Sequence, residues 1–415
     1  MKPYFPALDG LRLLASLNIV LLHFSTSDLL TYAKNSTLFS ATSTPVFNAS
    51  VFFVLSGFIY SVIFGNPNRI PRIGNFMKER FFRLYPLHIV CTLLIFAITI
   101  YRTHILDNPE FALKTLALHI SLLWTFVPNL GFHLNQPSWT LSVFFLCYSL
   151  TPAFCKMLNV YYESGSVPPA PSNRDIAGCV EGVRSTELNA TMCPPKGADS
   201  TSLTNRPLKN PGHIVISKEL PQTLSHKTMS SSLWGMFLFF WVILILCINY
   251  FGELPNALRG IEFFCGLVLG RLFLNGKIPL PKKAIFNDTA ILTVCILLYL
   301  NSTHSHALHF INSQYSYHII SPLLYCILVV LLANNRGLFV QVLSLKWIRK
   351  IGKASFYTYL LHSVLIEFLH LYLDKVVHWK YNPFNNILAT ILLIIILYGT
   401  CTAYNEWKVR KEREK

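Results

Sequence analysis

Charge is what this sequence has least of. Only 13% of its 415 residues are charged, and acidic residues number 19. Soluble domains carry about 25% charge, so the chain holds roughly half the usual amount. That excludes an ordinary soluble enzyme, and 53% hydrophobic residues exclude a disordered chain. The ten cysteines form no CxxC pair and no Cys/His zinc spacing, so no metal site is expected. Most of them (Cys91, Cys247, Cys265, Cys295, Cys326 and Cys401) lie inside apolar runs and read as reduced packing residues. Also missing are a GxSxG elbow, a P-loop, an HExxH pair, a glycine-rich dinucleotide turn and any internal repeat.

What is present is apolar and basic, with 35 Lys and Arg and a net charge of +16. Nucleic acid is not the reason. The cations sit in short clusters between apolar runs, which is the pattern of membrane topology. About 20 apolar residues cross a hydrocarbon core of roughly 30 Å. Ten runs qualify: 11–29, 47–64, 84–101, 139–155, 233–251, 259–274, 286–300, 318–333, 354–373 and 386–404. The prediction is an all-α polytopic membrane bundle of about ten transmembrane helices. The first run opens on Asp9 and Arg12 and lacks a small-residue cleavage site, so it reads as a span and not a removed leader.

Basic clusters fall at 69–83, 277–283, 336–353 and 408–415. Ten spans put all four on the cytoplasmic side with both termini, in the plasma (inner) membrane. An eleventh run, 111–127, carries Lys114 and His119. As a full span it would push some clusters outside, so it is expected to be re-entrant or interfacial. The chain then divides into a first half-domain (1–155), a polar insert (156–232) and a second half-domain with a basic tail (233–415). The insert is rich in Ser, Thr, Pro and Asn and is expected to be disordered and cytoplasmic. The acceptor pattern Asn189-Ala-Thr191 and the pair Cys179 and Cys193 point mildly the other way.

Ionisable residues at membrane depth are costly and therefore informative. In the first run Arg12 and His23 are eleven residues apart, within about 20° of one helix face and roughly 16 Å apart along it. Ser16 shares the stripe. His23 reads either as a proton carrier or as a helix-packing hydrogen bonder. Arg80 and Arg83 share a helix face and can grip phosphates in bidentate fashion, or simply mark topology. Ser56-Gly57 is a point of close helix approach. Pro137-Ser138-Trp139-Thr140-Leu141-Ser142 opens a helix, with hydroxyls that cap it or face a cavity. Ser355, Tyr359 and His362 make a second polar stripe.

In their order these motifs resemble those of acyltransferase family 3. LDGLRLLASLNIVLLHF supplies the basic residue Arg12 and the histidine His23 of the first helix. FFVLSGF (Phe52 to Phe58) follows, then ERFFRLYP (Glu79 to Pro86) with the paired Arg80 and Arg83. PSWTLS (Pro137 to Ser142), IGKASFYTYLLH (Ile351 to His362) and Tyr404-Asn405-Glu406 complete the set. The chain departs from the family pattern at Phe144, where an acid usually follows WTLSV, and in the insert. Glu262 and Glu406 are the candidate substitutes for that acid.

The resemblance implies transfer of an acyl group, usually acetyl from acetyl-CoA, to a hydroxyl of a cell-surface carbohydrate or glycolipid. His23 is then the general base, and Arg12, Arg80 and Arg83 bind the acyl-CoA donor. Ser142, Trp139 and Tyr85 are candidate oxyanion donors. Partners are acyl-CoA, the acceptor and membrane lipids, with no nucleic acid. Two other classes compete: a transporter or flippase, and an inactive scaffold of the same fold, which Phe144 favours.

Overall fold

The computed structural model describes residues 4–26, 44, 46–103, 105–127, 134–163, 227–251, 256–304, 316–372 and 383–414. Among them are thirteen α-helices and no strand: α1 Pro6–Thr26, α2 Ser50–Ile63, α3 Ile73–Arg102, α4 Pro109–Ile120, α5 Trp139–Glu163, α6 Lys227–Phe251, α7 Gly260–Leu274, α8 Ala284–His304, α9 Ser321–Ala333, α10 Leu338–Leu343, α11 Lys346–Lys353, α12 Ser355–Tyr372 and α13 Pro383–Arg413. Residues 1–159 with 230–415 make one compact unit and 160–229 another. The helical bundle is the first. Helix continues into both ends of the 156–232 stretch, and its remainder, with Cys179, Asn189 and Cys193, lies outside the described residues.

Each of the ten apolar runs falls on a helix. Six helices (α1, α3, α5, α6, α8 and α13) are long and apolar enough to cross a membrane, and Ser50–Ile63 and His318–Ala333 are shorter apolar helices. Large apolar side chains such as Leu238, Phe239, Leu246, Ile395 and Ile396 point outward. A surface of this kind suits lipid and not water.

Side-chain contacts fix the relative directions of the helices. Phe53 meets Phe144 and Tyr60 meets Tyr148, so α2 and α5 run parallel. The Cys147 thiol faces the Gly260 carbonyl and Arg271 bonds Asn159, so α5 and α7 run parallel too. Arg102 pairs with Glu367, and Tyr357 lies near Arg83, which makes α3 and α12 parallel. Asn287 bonds the Leu331 carbonyl and Asn301 bonds Ser321, which makes α8 and α9 antiparallel. These directions are those of a ten-pass alternation in which α4 does not cross. With 12 residues, α4 is about 18 Å long, well short of the hydrocarbon core. The same directions gather the basic clusters at one end of the bundle.

The tightest helix pair is α2 against α7. A Cβ on Gly57 would collide with the Phe263 carbonyl oxygen, one on Gly266 with that of Val54, and one on Gly270 would lie 2.7 Å from that of Phe58. Only glycine lets two backbones come this close. Elsewhere, the eight described cysteines are free and buried or half-buried, as packing residues should be.

Candidate active site

The amino-terminal half of α1 is anchored before it reaches the site. Gly352 of α11 lies directly on the Asp9 backbone, where a Cβ would not fit. Asp9 is buried. It accepts a hydrogen bond from the Tyr4 hydroxyl at 2.6 Å and pairs with Arg12 at 3.0 Å. Burial, and then the Asp9 carboxylate, push the Tyr4 phenol above its ordinary range, so it stays a donor. Arg12 is thereby aimed by a fixed carboxylate.

Arg80 and Arg83 arrive from α3. The Arg80 guanidinium bonds Glu79 at 2.7 Å and lies 5.3 Å from the Phe76 ring and 5.7 Å from the Tyr60 ring. Aromatic faces hold the planar cation in place. Arg12, Arg80 and Arg83 line a single cavity of about 320 Å³. Lys353 adds a fourth cation, and no lining residue carries a carboxylate. Ser56, Thr140, Ser355 and Tyr359 supply hydroxyls, and Phe52, Tyr148 and Phe356 supply apolar wall. A small cavity lined by four cations, two of them (Arg12 and Arg80) also paired with acids outside its lining, is suited to an anion.

His23 does not line this cavity. It sits about three helical turns along α1 from Arg12, against α12. Its ring lies 5.0 Å from that of His362, which is fully buried. Nδ1 of His362 is 2.6 Å from the Tyr359 carbonyl oxygen and so carries the proton that it donates there. That leaves the lone pair on Nε2, which makes no hydrogen bond. The Tyr359 ring is 5.7 Å from that of His362 and 5.9 Å from Phe52. Cavity, Tyr359, His362 and His23 therefore form a continuous line. Ser16 does not extend it: its hydroxyl is buried 2.8 Å from that of Tyr398.

The acid missing at Phe144 leaves no polar gap. Phe144 lies in the cavity wall, stacked among Phe53, Tyr148 and Phe263. Glu262 is fully buried 3.5 Å from Arg259, whose guanidinium bonds Ser50 and lies over Trp139. Glu406 pairs with Lys350 at 2.9 Å. Both acids are thus held by cations of their own.

Two of the oxyanion candidates have carbonyl partners, Tyr85 that of Ile120 and Ser142 that of Ser138, and the third, Trp139, has the Arg259 cation over its ring face. Two other histidines are structural. His119 donates from Nδ1 to the Thr115 carbonyl, accepts the Leu134 N–H at Nε2, and stacks on Trp124. His88 bonds the His119 carbonyl at 2.9 Å. Among the described residues no group of His, Cys, Asp and Glu has the makings of a metal site.

Three arginines picked out by motif thus meet in one cavity, and the fourth motif residue, His23, lies one histidine away from its wall. Lys353, Ser355, Tyr357 and His362 join the site without having been singled out as binding or catalytic. Ser355 and His362 had a signal in their helical stripe. Lys353 was hidden inside a basic cluster.

No curated protein and no solved structure matches the chain. A family model described as an acyltransferase domain matches residues 5–405. That match covers nearly the whole length and includes every motif gathered at the cavity: the chain belongs to acyltransferase family 3, as an integral membrane acyltransferase domain.

Proposed function

We propose that the protein moves an acyl group, acetyl in the first instance, from acyl-CoA to a hydroxyl of a cell-surface carbohydrate or glycolipid. The observation that carries this reading is the convergence of Arg12, Arg80 and Arg83 on one acid-free cavity. The donor carries several phosphate charges, and guanidiniums bind such groups through paired hydrogen bonds. The basic end of the bundle faces the cytoplasm in this reading, where acyl-CoA is found, and both termini lie on that side of the plasma (inner) membrane.

The pantetheine arm then runs past Tyr359 toward the histidines. A neutral His23 takes the proton of the acceptor hydroxyl as that oxygen attacks the thioester carbonyl. The tetrahedral intermediate collapses, the C–S bond breaks, and the imidazolium returns its proton to the leaving sulfur. Ester and free CoA are the products. His362, with its lone pair on Nε2, sits beside this step.

The test is release of free thiol by purified full-length protein given acetyl-CoA and a panel of sugars and glycolipids, with formation of the ester followed in parallel. Acceptor-dependent thiol release supports the reading. Movement of a glycolipid across vesicles without thioester consumption would replace it with the transporter class.

A further inference from the structure

A second cavity adjoins the first. Its volume is about 600 Å³, and it opens between α3 and the end of α13. Arg83 and Tyr357 line both cavities and form their common wall. The inner cavity is at the low end of the roughly 300–1,000 Å³ range of ligand sites, which is small for a nucleotide, a diphosphate and a thiol arm together. The outer one has the missing room.

Its chemistry is of a particular kind. Lys78 and Lys408 stand on opposite sides, with Arg83 at the inner edge. The Lys408 ammonium uses one of its donors on the Arg83 carbonyl at 3.3 Å, which sets it at the groove and leaves two more. Of the two lining acids, Glu79 is taken by Arg80, and Glu412 lies near Lys408 and favours its charged form, so that Lys78, Lys408 and Arg83 still outnumber the one acid not held elsewhere. Phe82, 61% exposed, and Val409 offer a flat apolar wall, and Asn405 an amide. Cations of the point-charge type, an open aromatic face and an amide edge fit a base and a phosphate monoester. The planar forks that suit a diphosphate lie one wall further in.

We infer that this outer groove holds the 3′-phosphoadenosine end of the donor, with Lys78 and Lys408 on the 3′-phosphate, Phe82 against the base and Arg83 bridging to the diphosphate. The inference rests on the acyl-CoA reading above and adds to it the point by which the donor is told from one lacking the 3′-phosphate.

The experiment compares CoA with 3′-dephospho-CoA by calorimetric titration of purified full-length protein. In wild type, dephospho-CoA should bind about tenfold more weakly or worse, the loss expected for a charge-assisted contact. Lys408→Ala and Lys78→Ala should each bring CoA down toward the dephospho-CoA affinity while leaving dephospho-CoA binding at its wild-type value, which also certifies the fold. Equal binding of the two ligands to wild type would overturn the subsite and return Phe82 and the lysines to a membrane-interface belt, with the donor reading intact. Failure of wild type to bind either ligand would overturn the donor reading itself.

Discussion

His23 of α1 and His362 of α12 face one another with ring centroids 5.0 Å apart and planes tilted by 40°. The two residues are far apart in the chain and come from helices that lie side by side. Tyr359, whose ring lies 5.7 Å from that of His362, lines the cationic cavity.

His23→Ala and His23→Asn should each lose about 10²–10⁴-fold in turnover per folded molecule, because neither side chain can carry the proton. Activity should also fall once the pH is low enough to protonate the imidazole, since only the neutral ring accepts a proton. His119→Leu is the contrast. It breaks three contacts, should cost about 1–3 kcal/mol in stability, and should leave turnover of the folded fraction alone. Detergent melting curves beside specific activity separate these outcomes. Near-wild-type turnover in His23→Asn would remove it from the chemistry.

Arg80→Lys and Arg83→Lys should raise the donor KM even though charge is kept, because the lysine ammonium cannot make the planar two-point contact. Arg80→Lys should be the more severe of the two, since Arg80 also loses its seat between Phe76 and Tyr60. Steady-state kinetics against acetyl-CoA concentration is the measurement. An unchanged KM in both alanine variants would reduce the pair to markers of topology.

Gly57→Ala and Gly266→Ala should destabilise the bundle by about 1–3 kcal/mol or more, because each new methyl meets a carbonyl oxygen of the partner helix. Gly235→Ala and Gly399→Ala, with nothing within 4 Å of the added carbon, should be neutral. Thermal unfolding of the four variants tests the pair directly. Equal melting temperatures would mean that α2 and α7 do not meet in this register.

Cys179 and Cys193 should resist a membrane-impermeant thiol reagent in intact cells and react once the membrane is opened, as the charge rule places the insert inside. Deleting 164–226 behind a short linker should preserve specific activity. Labelling in intact cells would invert the sidedness of the bundle.

The order of the ten apolar helices was legible in the sequence because apolar length and clustered Lys and Arg are local signals, whereas the short helices α10 and α11 carry no such signal. The expectation that 111–127 is re-entrant or interfacial came from the same charge pattern, and the parallel course of α2 and α5 is compatible with it. Arg12, Arg80 and Arg83 were legible as motif residues, and their helical spacing said which face each occupied. Their meeting was not legible, because it depends on how α1 and α3 are placed around α12. For the same reason the carbonyls that Tyr85 and Ser142 bond, those of Ile120 and Ser138, could not be named from the sequence. Lys353 looked like one more topological cation until α11 was seen to end at the cavity. Arg259 and Glu262, three residues apart, announce a pair, but nothing in their spacing announces that both are buried.

The closely packed α2 and α7 have only 14 and 15 residues. At about 1.5 Å per residue each is some 21–22 Å long, well short of roughly 30 Å of hydrocarbon. A pair bound this tightly cannot lengthen itself by sliding. Most residues of both helices are buried, so the pair is a short internal post, and the longer helices around it, not the post, are what must match the thickness of the lipid.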